Sequence, residues 1–138
     1  ISTGYMSHLS RKGINSELGI DFEISKKIDI SANLRYSSLN KNHNSEIRIK
    51  AISSFLSYIL VNTEYHRLMI GPGISFGKYK IYYNSKLDKD IHNIWLNPVK
   101  IRYDYNINTN FKIGLDASLY GDDGDGSFYF GVTTGYIF

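Results

Sequence analysis

Four histidines, His8, His43, His66 and His92, and the serines near them are the residues with the makings of nucleophilic catalysis. Such chemistry needs a serine within reach of a histidine that an acid orients. The nearest spacing is His43-Asn44-Ser45, and it falls in a polar connection. Asp122-Asp123-Gly124-Asp125-Gly126 has the outline of a calcium loop, but a helix-flanked calcium site needs further ligands and a closing Glu. Here the chain continues as a strand, so the segment reads as a turn. No phosphate loop, zinc spacing or nucleic-acid-binding stripe is present, and no metal, cofactor or nucleic-acid partner is expected. Cysteine is absent, which excludes thiol chemistry and disulfides.

The ionisable residues that recur with regular spacing point elsewhere. Glu17, Asp21, Glu23, Asp29, Arg35, Arg48, Lys50, Arg67, Lys100, Arg102, Asp104, Lys112 and Asp116 each alternate with apolar neighbours. Both signs share one face, and the opposite face carries almost no charge. Their expected chemistry is ion pairing in an enclosed space, because an unpaired charge away from bulk water costs several kcal/mol in order of magnitude. A network is expected between the acids Glu17, Asp21, Glu23 and Asp29 and bases such as Arg35, Arg48, Lys50, Arg67 and Arg102.

The elements that must position these residues are strands. Period-2 alternation marks segments at 1–10, 17–24, 28–39, 46–61, 66–83, 91–105, 111–121 and 127–138, since successive strand residues point to opposite sides. The last is the clearest, with Phe128, Phe130, Val132, Thr134, Tyr136 and Phe138 on one face and Ser127, Tyr129, Gly131, Thr133 and Gly135 on the other. In 46–61, Ile47, Ile49 and Ala51 oppose Arg48 and Lys50, and the phase then blurs near Ser53-Ser54, where a bulge would reset it. Pro98 interrupts 91–105 and Pro72 interrupts 66–83; each requires a local bulge or an unpaired group. Tight turns are expected at Ser25 to Lys27, Asn62 to Tyr65 and Asn106 to Asn110. Longer polar connections are expected at Arg11 to Ser16, Leu39 to Ser45, Asn84 to Asp90 and Gly121 to Gly126.

Alternation alone does not say which face meets solvent. The longest weakly polar stretch, Ala51 to Val61, holds three serines and is about half of what a spanning helix needs, which excludes a helical membrane protein. Mean hydropathy is slightly negative, as it is for a barrel whose residues alternate between lumen and lipid. Phe22, Tyr36, Phe76, Tyr103, Tyr105, Phe111, Phe128 and Phe138 lie on the apolar face near strand ends, where membrane interfaces favour rings. Trp95 reads as a further interface anchor. Glycine and serine on the charged face leave room for long side chains in a narrow lumen. The fold class expected is therefore all-β: one domain over 1–138, an eight-stranded antiparallel up-and-down transmembrane β-barrel with a plugged lumen. The chain opens inside a strand with no visible signal peptide, as a mature exported product would.

The closing segment Phe130-Gly-Val-Thr-Thr-Gly-Tyr-Ile-Phe138 and the Gly-rich run Ile70-Gly-Pro-Gly-Ile-Ser-Phe-Gly-Lys-Tyr79 resemble the OmpX/Ail/Lom-type small outer-membrane barrels. Phe130, Val132, Tyr136 and Phe138 match the C-terminal insertion signal of such barrels. The resemblance implies a bacterial outer-membrane location, monomeric and non-enzymatic. It implies adhesion, host interaction or serum resistance through external loops, with Arg11, Lys12, Lys41, His43, Lys86, Lys89, Asp122, Asp123 and Asp125 as candidate binding residues. Implied partners are outer-membrane lipid and lipopolysaccharide, a host surface or matrix protein, and the barrel assembly machinery during insertion. The alternatives are a PagL-like lipid A deacylase, whose His-x-Ser-Asn arrangement is missing here, and a narrow pore.

Overall fold

A computed structural model describes residues 1–8, 11–42, 45–84, 86–120 and 127–137. The strands are β1 (Ser2–His8), β2 (Arg11–Ser25), β3 (Ile28–Asn42), β4 (Ser45–Asn62), β5 (His66–Tyr83), β6 (Lys86–Asn106), β7 (Phe111–Tyr120) and β8 (Ser127–Tyr136). Each pairs antiparallel with its sequence neighbour, and β1 also pairs with β8, so the sheet closes on itself. Closure pairs each strand on both sides over part of its length; β2 from Leu18 onward pairs only with β3, and β6 before Val99 pairs only with β5.

The turns at 26–27, 63–65 and 107–110 share one end of the barrel. Side chains hold them: Asn108 Oδ1 accepts from the backbone N–H of Asn110 and of Phe111, each at 2.9 Å. At the other end three of the expected longer connections give way largely to strand, and the fourth, 121–126, lies outside the described residues. Residues 11–16 belong to β2; all pair with β1, and those from Lys12 on pair with β3 as well. β3 runs on to Asn42 and β4 starts at Ser45. Residues 86–90 open β6, and Asn84 takes the left-handed conformation (φ 49°) that a tight hairpin needs. Lys86 and Lys89, expected in a loop, pair as strand residues with Tyr83 and Ile81. These segments resemble loops in sequence because both faces turn polar there. They pair anyway, since each ladder bond satisfies backbone groups whatever the side chains are.

Both prolines fall in one irregularity. Gly71 faces Lys100 and Gly73 faces Asn97, so β5 spends one intervening residue where β6 spends two. The bulge absorbs Pro72 and Pro98 and reverses the phase of β6. Trp95 and Asn97 point inward above it, and Lys100 and Asp104 point inward below it. No bulge occurs at Ser53-Ser54. Burial in β4 alternates without a break from Ile47 to Ile59, and the register shift against β5 comes later, between Ile59 and Val61.

That unbroken phase overturns two expected lumen positions. Ile47, Ile49, Ala51, Ser53 and Phe55 are buried in the barrel, so Arg48 and Lys50 lie on its outer face. Trp95 is likewise not at an interface; it is buried inside, 5.2 Å from the Tyr79 ring. The reason is shared. The lumen has two storeys, and the one far from the turns is filled by Leu39, Ile47, Ile49, Phe55, Trp95, Tyr120 and Tyr129. Apolar residues on the inner face there force their strand neighbours outward, charged or not.

Candidate functional site

The lower storey, nearer the turns, is ionic. Lys100 Nζ lies 3.1 Å from Glu17 and 3.3 Å from Asp116. Arg102 bridges Asp21 (2.9 Å) and Asp104 (2.8 Å), and Lys112 reaches the same two acids at 3.1 and 3.2 Å. Arg67 pairs with Asp29 at 3.1 Å and with Glu23 at 3.2 Å nearer the mouth. Neutral groups complete the shell: Tyr120 donates to Glu17 at 2.6 Å and Asn15 donates at 3.3 Å. Below the network a cavity of about 1000 Å³ opens at the turn end, lined by Asp21, Glu23, Asp29, Arg67, Arg102 and Lys112 among others.

Arg35 sits at the boundary between storeys. Its guanidinium stacks 3.9 Å over Tyr120 and 5.4 Å from Trp95 and makes no hydrogen bond among the described residues. Cation–π contact takes the place of a carboxylate partner. Higher up, Ser53 and Ser75 hydroxyls lie 2.6 Å apart and Asn97 donates to Ser75 at 2.7 Å.

The outer wall is read by following paired residues around the barrel, since directly opposed residues share a face. One row is apolar: Leu18, Leu34, Ile52, Phe76 and Ile94. On β5 the outward positions Leu68, Ile70, Pro72, Ile74 and Phe76 span nine residues without charge, about the 9–11 residues that cross a bilayer as a strand. The next row is Ser16, Tyr36, Lys50, Lys78 and His92, and the one beyond is Ile14, Ser38, Arg48, Lys80 and Asp90. Rings edge the apolar belt. Tyr36, Phe76 and Phe128 lie toward the far end, and Phe22, Tyr103, Tyr105, Phe111 and Tyr136 toward the turns, all exposed. His66 Nδ1 and the Tyr103 hydroxyl are 2.7 Å apart in the second girdle, so this histidine pairs with a phenol rather than a serine.

Among the external candidates, Arg11 and Lys12 lie in β2, Lys41 in β3, and Lys86 and Lys89 in β6. His43, Asp122, Asp123, Asp125 and Phe138 lie outside the described residues. Phe130, Val132 and Tyr136 point outward, each at least 44 % exposed. Among the described residues no group of His, Asp and Glu is arranged to hold a metal. Sequence reasoning passed over Lys78 and Lys80 on the outer wall, where His92 shares the row of Lys78. The parity of Phe76 carried on through β5 would have found the two lysines. It also passed over Asn15 and Asn97 in the lumen, which have no charge to mark them, whereas the alternation in 111–121 put Tyr120 on the charged face, where it lies.

No family model matches the chain, and no curated protein matches it. Solved structures do. Neisserial surface protein A superposes with a TM-score of 0.81 at 12 % identity, covering 99 % of this chain and 94 % of that one. The attachment invasion locus protein of Yersinia pestis superposes at 0.64 with 15 % identity, over 98 % and 94 %. The outer-membrane enzyme PagL superposes at 0.53 with 10 % identity, over 97 % of each chain. These neighbours are small outer-membrane β-barrels of the OmpX/Ail kind. At such identities the likeness is one of fold.

Proposed function

We propose that this chain is a bacterial outer-membrane protein whose eight strands span the bilayer and which acts by presenting a surface, not by catalysis. The supporting observation is the reversal of the usual burial rule. Leu34, Ile52, Phe76, Leu115 and Val132 are 44 to 58 % exposed, whereas Glu17, Arg35, Lys100, Asp104 and Asp116 are at most 6 % exposed. In water that would be a large exposed apolar patch around an ionic core. In a bilayer each group has the solvent it needs. The turns at 26–27, 63–65 and 107–110 face the periplasm in this reading, and the far end faces out.

A direct test is mobility in unboiled SDS after export and folding. A barrel migrates differently before and after boiling and partitions with the outer-membrane fraction. Identical migration and a soluble location would sink the proposal.

The outer end is then the working end, with Arg11, Lys12, Lys41, His43, Lys86, Lys89 and the 121–126 segment as its polar groups. The likeness to an attachment invasion protein supports adhesion to a host surface or matrix protein. Cells expressing the chain should bind immobilised matrix proteins above an empty-vector strain, and Lys86→Glu/Lys89→Glu should reduce that binding. Equal binding by the empty strain removes the adhesion reading. The second reading, lipid A deacylation, is supported by the likeness to PagL alone, since the His-x-Ser-Asn arrangement is missing from the sequence. Lipid A that keeps all its acyl chains when the protein is expressed dismisses it.

A further inference from the structure

Among the cations of the ionic storey, Arg67 and Arg102 keep their protons, because a guanidinium does not give one up in a protein. Lys100 and Lys112 are amines, and an amine that loses its proton is a nucleophile. Lys112 shares both its acids with Arg102 and stands near the cavity, its side chain 12 % exposed and that of Asp21 19 %. Lys100 is placed otherwise. Its side chain is 7 % exposed, and those of its two acids, Glu17 and Asp116, are 2 % and 0 %. The Phe55 ring lies 4.7 Å from Nζ. Lys100 faces Ser118 and Arg102 faces Asp116 across the β6–β7 ladder, so Lys100 and Asp116 are diagonal neighbours on the inner face. Ser118 is small and buried, which lets the lysine lean across it.

Two buried carboxylates flank one ammonium, and each charge so enclosed is costly. Condensing the ammonium with one carboxylate would remove both charges. Glu17 would keep the Tyr120 hydroxyl at 2.6 Å and the Asn15 amide at 3.3 Å. We infer that Lys100 and Asp116 become joined by an amide bond between Nζ and Cγ, with Glu17 carrying the protons. Nζ is 3.1 Å from Glu17 and 3.3 Å from an Asp116 oxygen, and Cγ is one bond beyond that oxygen. Glu17 takes a proton from the ammonium, and the freed amine attacks Cγ to form the N–C bond. Glu17 passes that proton to an Asp116 oxygen, then takes a second from the nitrogen and passes it to the same oxygen. The C–O bond breaks and water leaves into the cavity, which all three residues line. One ammonium and one carboxylate become one amide and one water, Glu17 ends as the carboxylate it began as, and nothing is oxidised or reduced. Such a condensation is unfavourable between dilute groups in water, but fixed geometry supplies effective concentrations of about 10⁵–10⁸ M. The fold is required, because Glu17 on β2 meets β6 and β7 only across the lumen. The product clamps β6 to β7 covalently.

Intact-mass spectrometry of the full chain, folded in detergent micelles or held in urea, tests this. The folded chain should be lighter than its sequence mass by one water, about 18 Da, and the urea-held chain should not. Trypsin should release residues 90–102 and 113–138 of the folded chain as one joined peptide, with cleavage after Lys100 lost. Lys100→Arg and Asp116→Ala should each restore the full mass. Glu17→Gln, shown to be folded by its unboiled migration, should form the bond about a hundred-fold more slowly after dilution from urea. A folded wild-type chain at full mass overturns the inference. So does a water loss that persists in Asp116→Ala, since it would arise elsewhere, as at Asp123-Gly124. A wild-type rate in Glu17→Gln removes Glu17 as the proton carrier. Where a lumen variant fails to fold, the wild-type mass and peptide map still decide.

Discussion

Lys100 is held by two carboxylates in a space that excludes bulk water, with its side chain 7 % exposed. Replacing one partner of such a group strands the others. Lys100→Met leaves Glu17 and Asp116 buried without their cation and should lower stability by about 3–5 kcal/mol. The midpoint of urea unfolding in detergent, followed by the heat-modifiable band, measures this. Adding Glu17→Gln to Lys100→Met should recover part of the loss, because the two positions share one interaction. An unchanged midpoint for Lys100→Met would mean that the lower storey is wet and the pairs are idle. Gly73 makes a different demand. A Cβ there would overlap the ring of Phe55, which is fully buried. Gly73→Val should therefore cost about 1–3 kcal/mol from overpacking, read by the same unfolding curve, while an outward change such as Ile74→Val should be nearly silent.

At the scale of the element, β6 carries the most information per residue. Its phase changes at Pro98, and that change lets Trp95 and Asn97 share the lumen with Lys100 and Asp104. A one-residue shift of register moves every side chain to the other face. Deleting Pro98 should turn Lys100, Arg102 and Asp104 toward lipid, or Trp95 and Asn97 instead, and the heat-modifiable form should vanish. Pro98→Ala keeps the residue count and should fold, with a stability change within about 1 kcal/mol. A deletion variant that still folds would show that the bulge is dispensable. Pro98 was visible in the sequence as an interruption, and the phase after it was legible in Lys100, Arg102 and Asp104; the phase before it, which turns Trp95 and Asn97 inward, was not. That depended on Gly71 and Gly73 across the ladder. β4 taught the opposite lesson: Ser53 and Ser54 looked like a phase break and are an ordinary inward–outward pair, because a lumen accepts serine and isoleucine on one face.

The whole molecule is closed twice. The ion pairs cross the lower lumen above the cavity at the turn end, and Phe55, Trp95, Tyr120 and Tyr129, each no more than 3 % exposed, fill the upper one. Eight strands leave an interior just wide enough for side chains. Planar bilayers containing the purified protein should show no stable single-channel steps. Regular conductance steps that survive repurification would restore the narrow-pore reading.

What the amino-acid order determined by itself was the alternation: strands, a ring-edged apolar face, and Glu17, Asp21, Asp29, Lys100, Arg102, Asp104, Lys112 and Asp116 on the other. Period 2 is local, fixed by the geometry of an extended backbone. Which acid meets which base, and whether Arg48, Lys50 and Trp95 look in or out, was decided only by closure of the sheet. Direction relative to the lumen is a property of the closed ring, and along β4 and β6 it is set by which neighbouring strand supplies the partner residue.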